Sequence, residues 1–428
     1  MTLTSLPAAE ADTHLQALIP EIAANLEQHI LAPWYPRVAT DAAMAGFRQE
    51  YDERWRPGED SVRSVVYQAR LTWVAARAVR HLPARREEFA RYARHGVAFL
   101  NGPLRDREYG GLFWQVGTKS GGPDTDRGGE KHAYGLAFAL YAAAAAHEAT
   151  GDPAALELAQ HVFAWLEAHA HDAAHGGYYE ALTREGRPIV DPRPGDPAAI
   201  DAIGTCYGFK SMNTHLHLLE ALAELAKVWP DPAVMARLRE VFGIVRDTIA
   251  VTPPGCLNLF FTPDWRPVPD HDSFGHDVEA AYLLAEAAEV LGIPDDPATW
   301  AVARALVDHA LAFGWDTAHG GFYDHGSAFR PATGREKIWW TQAEGLNALL
   351  LLHDRFGRED PRYAIAFRRQ WEFIRRHQTD EESGGWRAMV EPDGKPIPGL
   401  AKSDAWTDPY HQGRALMNVL DRLRATRE

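Results

Sequence analysis

Cysteine is nearly missing from this chain. Two residues of 428, Cys206 and Cys256, carry thiols, which excludes a disulfide framework and reads as two isolated buried sulfhydryls. Basic runs are absent too, and the formal net charge is −15, so nucleic acid and anionic membranes are excluded as partners. The most apolar stretch, Leu136 to Ala146, is too short to span a bilayer. The first ten residues have neither the basic region nor the apolar core of a signal peptide. A cytosolic protein is the expectation. An HExxH helix is missing as well, which removes one familiar zinc arrangement.

What is present is an ordinary globular composition, 46% hydrophobic and 24% charged. Length alone suggests two or three domains, but a repeat overrides that count. Gly110-Gly111-Leu112-Phe113-Trp114 returns as Gly176-Gly177-Tyr178-Tyr179, Gly320-Gly321-Phe322-Tyr323 and Gly384-Gly385-Trp386, at a period of about 65 residues. Gly255 with the Phe260-Phe261 pair fills the double gap in the middle, and Ala45-Gly46-Phe47 supplies a sixth, altered copy. Gly-Gly before aromatics reads as a turn entering a short strand.

Between these turns lie paired helical patterns near 61–81 and 84–101, 131–150 and 153–171, 210–229 and 231–250, 276–292 and 298–314, and 339–357 and 361–377. A first helix over 14–31, stopped by Pro33, and a last one over 407–425 complete a sixth pair. Twelve helices in six hairpins, with short β-hairpins in the connections, predict an all-α (α/α)6 barrel formed by one domain, with residues 1–13 as a flexible extension. Residues 134–146 are apolar or small nearly all round, as an inner helix must be, whereas 84–97 carry charge on one face. The long polar loops 117–130, 183–209 and 327–336 all precede inner helices and are expected at one end of the barrel.

The candidates for chemistry cluster at inner-helix starts: Arg70, Tyr134, Asn213 with His217, His276 with Glu279, Trp339 with Trp340 and Glu344, and Trp406 with His411. Parallel inner helices would bring them to one mouth, where helix N-termini favour an anionic intermediate. On α-helical spacing Asn213 and His217 share a face and His215 points away. Most of the 20 histidines are structural. His81, His161, His169 and His309 fall in outer-helix patterns and read as surface residues, whereas His217, His276 and His411 occupy equivalent repeat positions. Three histidines raise a metal site as a rival, but His215 and His217 diverge on a helix. Glu279, three residues after His276, reads as orienting that imidazole or binding a ligand hydroxyl. Adjacent Trp339 and Trp340 cannot both face inward, so one is expected to be packing. Arg70 interrupts an apolar run, so it is paired or reserved for a ligand oxygen.

The segments Asn213 to Ala221, Gly275-His276-Asp277-Val278-Glu279, Lys337 to Glu344 and Trp406 to His411 resemble the N-acylglucosamine 2-epimerase superfamily, and most nearly its cellobiose 2-epimerase branch. The resemblance runs from about residue 15 to the end of the chain. It implies an (α/α)6 barrel that inverts C2 of a reducing sugar, with a small-molecule substrate and no metal or organic cofactor. It places His217, His276 and His411 at ring opening and proton transfer, and Arg70, Asn213, Glu279, Trp339 and Trp406 at substrate binding. The loop with Lys119-Ser120-Gly121-Gly122-Pro123 and the loop 183–209 match nothing in that pattern. Two other readings stay open: an aldose–ketose isomerase working through the same enediol, and a glycoside hydrolase using Glu279 with Glu344 or Asp404. A monomer or weak homo-oligomer is expected.

Overall fold

The computed structural model describes residues 8–39, 46–59, 61–118, 129–191 and 199–425. Residues 1–7, Ala45 and the Lys119–Pro123 segment lie outside the described residues. Six helices form an inner ring: α4 (Val65–His81), α6 (Ala133–Thr150), α8 (Met212–Val228), α10 (Phe274–Val290), α12 (Trp339–Phe356) and α14 (Tyr410–Ala425). Each packs on the next, and α14 returns to α4 to close the ring. Outside them run α5 (Arg86–Asn101), α7 (Pro153–His169), α9 (Pro232–Ile244), α11 (Pro297–Phe313) and α13 (Arg362–Phe373), each an antiparallel partner of the inner helix before it. The twelfth position is filled from the amino end by α2 (Ile19–Asn25) and α3 (Ala32–Val38), joined by a π-helical turn, Leu26–Leu31, that packs against α14. This is the (α/α)6 barrel that the repeat predicts.

Two boundaries differ from the sequence reading. The helical path runs through Pro33 to Val38 rather than stopping there, changing from a π-helical turn to an α-helix just before the proline. A short helix α1 (Ala8–Gln16) also precedes it, overlapping the stretch assigned to an extension. Its Asp12 pairs with His353 Nε2 of α12 at 2.8 Å.

Alanine explains how the inner ring closes. Residues Ala142 to Ala146 of α6 are all buried, and small side chains let α4 and α8 approach on both flanks. At one end of the barrel each of the first five inner helices is entered from a short strand that pairs with a strand following its outer partner, and α14 starts at the same end, where His411 meets the other helix starts. Examples are the strand Lys131–His132 with Ala181–Leu182, and Lys337–Ile338 with Met389–Val390. All six inner N-termini therefore point to that end. The Gly-Gly turns lie there too, both glycines at positive φ. A β-carbon on Gly177, at φ +70°, would come within 2.5 Å of Trp265 and 2.7 Å of His215.

A second repeat underlies the turns. An aspartate stands four residues before each Gly-Gly pair, and a buried lysine from the strand region at the same end reaches it. Lys131 meets Asp106 at 3.0 Å, Lys210 meets Asp172 at 2.8 Å, Lys337 meets Asp316 at 2.8 Å and Lys402 meets Asp380 at 2.6 Å. The first three ammonium groups also donate to the carbonyl of the first glycine. Burial acts to raise these aspartates, but hydrogen bonds outweigh it, from Arg184, Lys131 and backbone N–H at Asp106 and from Lys210 and backbone N–H at Asp172, and hold both at about 2.

Candidate active site

At the mouth formed by the inner N-termini lies a cavity of about 240 Å³. Arg70, Asn213, His217, His276, Glu279, Trp339, Trp406 and His411 all line it, joined by Tyr134, Trp340 and Ile203. Every residue that the resemblance assigns to catalysis or substrate binding therefore reaches one space, contributed by all six inner helices and by the loops ahead of α8 and α14. His215 turns outward as the helical spacing requires. Its Nδ1 lies 2.7 Å from the Ser211 carbonyl, and its Nε2 accepts from the Tyr178 N–H of a Gly-Gly turn.

The three cavity histidines share one plan, with Nδ1 engaged and Nε2 left toward the cavity. His217 Nδ1 lies 2.7 Å from Glu220 Oε1, and His411 Nδ1 lies 2.6 Å from Glu344 Oε1. His276 Nδ1 meets Ser273 Oγ at 2.7 Å. An ionised glutamate can only accept, so Nδ1 of His217 and of His411 carries the hydrogen and Nε2 keeps a lone pair. Burial holds His217 and His411 well below the ordinary histidine value. The nearby Arg70 and Arg414 push the same way, and Glu279 opposes them. Both rings therefore favour the neutral, proton-accepting form.

Beneath the cavity Arg414 joins the acids together. Its guanidinium donates to Glu220, Glu279 and the Tyr410 hydroxyl, and to Glu344 at 2.9 Å. Tyr410 in turn donates to both oxygens of Glu220 at 2.8 Å. One buried cation therefore orients the carboxylates that orient two of the imidazoles. Arg70 is the second cation. It pairs with Asp408 at 3.1 Å and donates to Tyr134 Oη at 3.1 Å, with its guanidinium over the Phe138 ring.

Glu279 does not orient His276, because Ser273 does; its carboxylate faces Arg414 instead, and its Oε2 is buried without a protein partner. Trp339 and Trp340 both line the cavity, contrary to the expectation that one would pack. They can do so because they straddle the first turn of α12, where neither is covered by a preceding helical turn. Trp340 lies between two catalytic candidates, its ring centroid 4.7 Å from His276 and 5.6 Å from His411. The surface reading fails for His309, which is buried on α11, and for His81, whose side chain is 3% exposed at the end of the inner helix α4; His161 and His169 are half-buried on α7.

Arg414 and the role of Glu220 escaped the sequence reading, although a signal was there. Each is a charged residue three places after a cavity histidine in an apolar helical run, which puts it on the same face one turn deeper. Asp408, the partner of Arg70, lies between Trp406 and His411, and Ile203 comes from a loop with no periodicity to read. The ligand atoms of Glu279, Glu344 and His411 lie close enough to suggest a metal. Their carboxylates, however, are already turned onto Arg414, which supplies the positive charge. The hydrolase pairing is not supported by the geometry either. Glu344 is fully buried behind His411, and Asp404 caps the N–H groups of Trp406 and Thr407.

Fold and site together define a carbohydrate-active isomerase or epimerase class: an (α/α)6 barrel whose helix N-termini gather neutral histidines, indoles and a guanidinium. The sequence profile of N-acylglucosamine 2-epimerase (GlcNAc 2-epimerase) matches residues 46–415. The chain is 33% identical to a cellobiose 2-epimerase of Bacteroides fragilis over 95% of its own length and 99% of that protein's. It is 29% identical to a D-mannose isomerase of Thermobifida fusca, covering 89% of this chain and 91% of the relative. The structure of cellobiose 2-epimerase from Spirochaeta thermophila superposes with a TM-score of 0.84 at 32% identity, over 97% of this chain and 99% of that one. The chain belongs to the N-acylglucosamine 2-epimerase family. Among the described residues no helix is long and apolar enough to cross a membrane.

Proposed function

We propose that this protein is a sugar 2-epimerase that inverts C2 of a reducing-end glucose- or mannose-type aldose, free or as the end unit of a β-1,4-linked disaccharide such as cellobiose. The observation that carries this reading is the convergence of His217, His276 and His411 on one cavity with Arg70 and Asn213. After ring opening, a neutral imidazole Nε2 takes the C2 proton. The C2–H electron pair forms the C1–C2 double bond, and the carbonyl electrons move to O1, giving a cis-enediolate. A second, protonated imidazole on the other face returns a proton to C2. His276 and His411 take the two faces, either serving as base according to direction. His217 assists ring opening or holds O1. Arg70 and Asn213 face the enediol oxygens, and Asn213 Oδ1 is a buried acceptor without a protein partner.

The volume supports one sugar ring inside. Drug-sized pockets run to about 300–1,000 Å³, so a cavity of about 240 Å³ suits a single hexose unit. A second ring would lie outward, over the Trp406 indole, which is 41% exposed. The enzyme is read as one domain working in the cytosol, as a monomer or weak homo-oligomer.

An aldose–ketose isomerase is the second reading, favoured by the similarity to D-mannose isomerase. It differs only in returning the proton to C1. Proton NMR in heavy water with mannose, glucose and cellobiose decides between them. Deuterium at C2 with the epimeric aldose supports the proposal; fructose as the main product from mannose overturns it. A His411→Ala variant that keeps most of the turnover overturns the assignment of the histidines.

A further inference from the structure

The residue just before the N-cap is Lys131 ahead of α6, Lys210 ahead of α8 and Lys337 ahead of α12. The lysine is absent from this position ahead of α4, where Arg63 stands, and ahead of α10. Ahead of α10 the same position holds Asp272, on the short strand Asp272–Ser273. An acid therefore stands where three sister units place an ammonium group.

This acid faces others. Asp277, in the first turn of α10, and His309, on α11, bring one ligand atom each to within 4.8 Å of Asp272 and of one another. His309 Nδ1 is 3.5 Å from Asp272 Oδ2 and 3.5 Å from Asp277 Oδ2. All three residues are at most 3% exposed. Both oxygens of Asp272, Oδ2 of Asp277 and Nδ1 of His309 have no hydrogen-bond partner.

The outer atoms show how the inner ones are prepared. His309 Nε2 lies 3.1 Å from the Ala328 carbonyl, which can only accept, so Nε2 carries a hydrogen. In the neutral ring Nδ1 then presents a lone pair to two carboxylate oxygens, a repulsive arrangement unless something positive sits between them. Asp277 Oδ1 accepts from the Leu257 N–H at 3.1 Å. A histidine donating its far N–H to a carbonyl, and a carboxylate steadied from behind, are the supports that metal ligands use. The spacing agrees. Zinc bonds of about 2.0–2.2 Å in tetrahedral geometry separate neighbouring ligand atoms by about 3.3–3.6 Å.

We propose that Asp272, Asp277 and His309 bind a divalent cation of the zinc class, which takes the place of the missing lysine and fastens α10 to α11 outside the catalytic cavity. Two carboxylates and one imidazole leave a fourth position for water. The cation's two positive charges balance the two aspartates. Its effect on the catalytic end is positional, since Asp272 is next to Ser273, whose hydroxyl holds His276. The competing occupant of the same space is a proton shared by the two carboxyls, which would need no metal.

The test uses the full chain, stripped with a chelator, exposed to zinc chloride and passed through gel filtration before its metal content is measured. Wild type should retain one zinc equivalent more than Asp272→Asn and His309→Gln, whose other histidines remain as internal controls. Zinc should raise the melting temperature of the stripped wild type and leave both variants unmoved. Should the variants fold poorly, cobalt(II) added to the stripped wild type should give the visible absorption of a low-coordinate site, displaced by one equivalent of zinc. Equal zinc content in wild type and variants, an unmoved wild-type melting temperature, or a featureless cobalt spectrum overturns the proposal in favour of the shared proton.

Discussion

Replacing Arg414 with Met tests the account of the site most directly. The methionine keeps much of the buried volume but removes the charge that faces Glu220, Glu279 and Glu344, all at most 5% exposed. Losing one partner of a buried ion pair costs about 3–5 kcal/mol, because the remaining charge stays buried without compensation. At about 2.1 cal/mol/K per residue, the unfolding entropy of 428 residues is about 0.9 kcal/mol/K. The melting midpoint should therefore fall by about 3–6 °C. The loss should also depend on pH. Burial raises Glu220 and Glu344, and in wild type Arg414 opposes that rise. Without it both carboxyls move further above their unfolded values. The native state then binds more protons than the unfolded one, so stability falls as pH rises. Scanning calorimetry at pH 5.5 and pH 8 should find the larger deficit at pH 8. A deficit under about 1 kcal/mol, or one that does not grow with pH, refutes the idea that Arg414 neutralises these acids.

The other expectations follow from the same contacts. His217 and His411 are held below their ordinary value by burial, so kcat/KM should fall on acidification with a midpoint below about 6.5; a pH–rate profile with that midpoint above 7 contradicts it. Glu344→Gln replaces the charged acceptor of His411 Nδ1–H by a neutral amide oxygen and should lower kcat about 10²-fold, within the range of general acid–base catalysis, with KM little changed in steady-state assays. Lys337→Met strands Asp316 beneath its Gly-Gly turn and should cost about 3–5 kcal/mol by urea unfolding. Asp106 and Asp172, held at about 2, stabilise the fold above their unfolded value of about 3.9. That contribution should be lost progressively as pH falls from there toward 2, visible in acid titration followed by circular dichroism.

Much of this was legible before any coordinates. The Gly-Gly period set the number of helical hairpins, and helical spacing put Asn213 with His217 while turning His215 away. Trp340 was misjudged because the rule that neighbours diverge holds within a helix, whereas these indoles stand on its first turn. His309 was misjudged because an outer helix buries one face, and a single polar residue on that face does not disturb the pattern.

Local chemistry along the chain therefore determined the barrel, the end at which its polar groups gather and the identity of the three imidazoles. These depend on turn geometry and on a periodicity of a few residues, which short stretches of sequence carry by themselves. Tertiary structure alone decided the pairings. Arg414 reaches glutamates on three other helices, Arg70 finds Asp408, and Asp272 meets His309 where a lysine would otherwise stand. The strength of an electrostatic contact depends on separation through space and on exclusion of water, and neither can be read from distance along the chain.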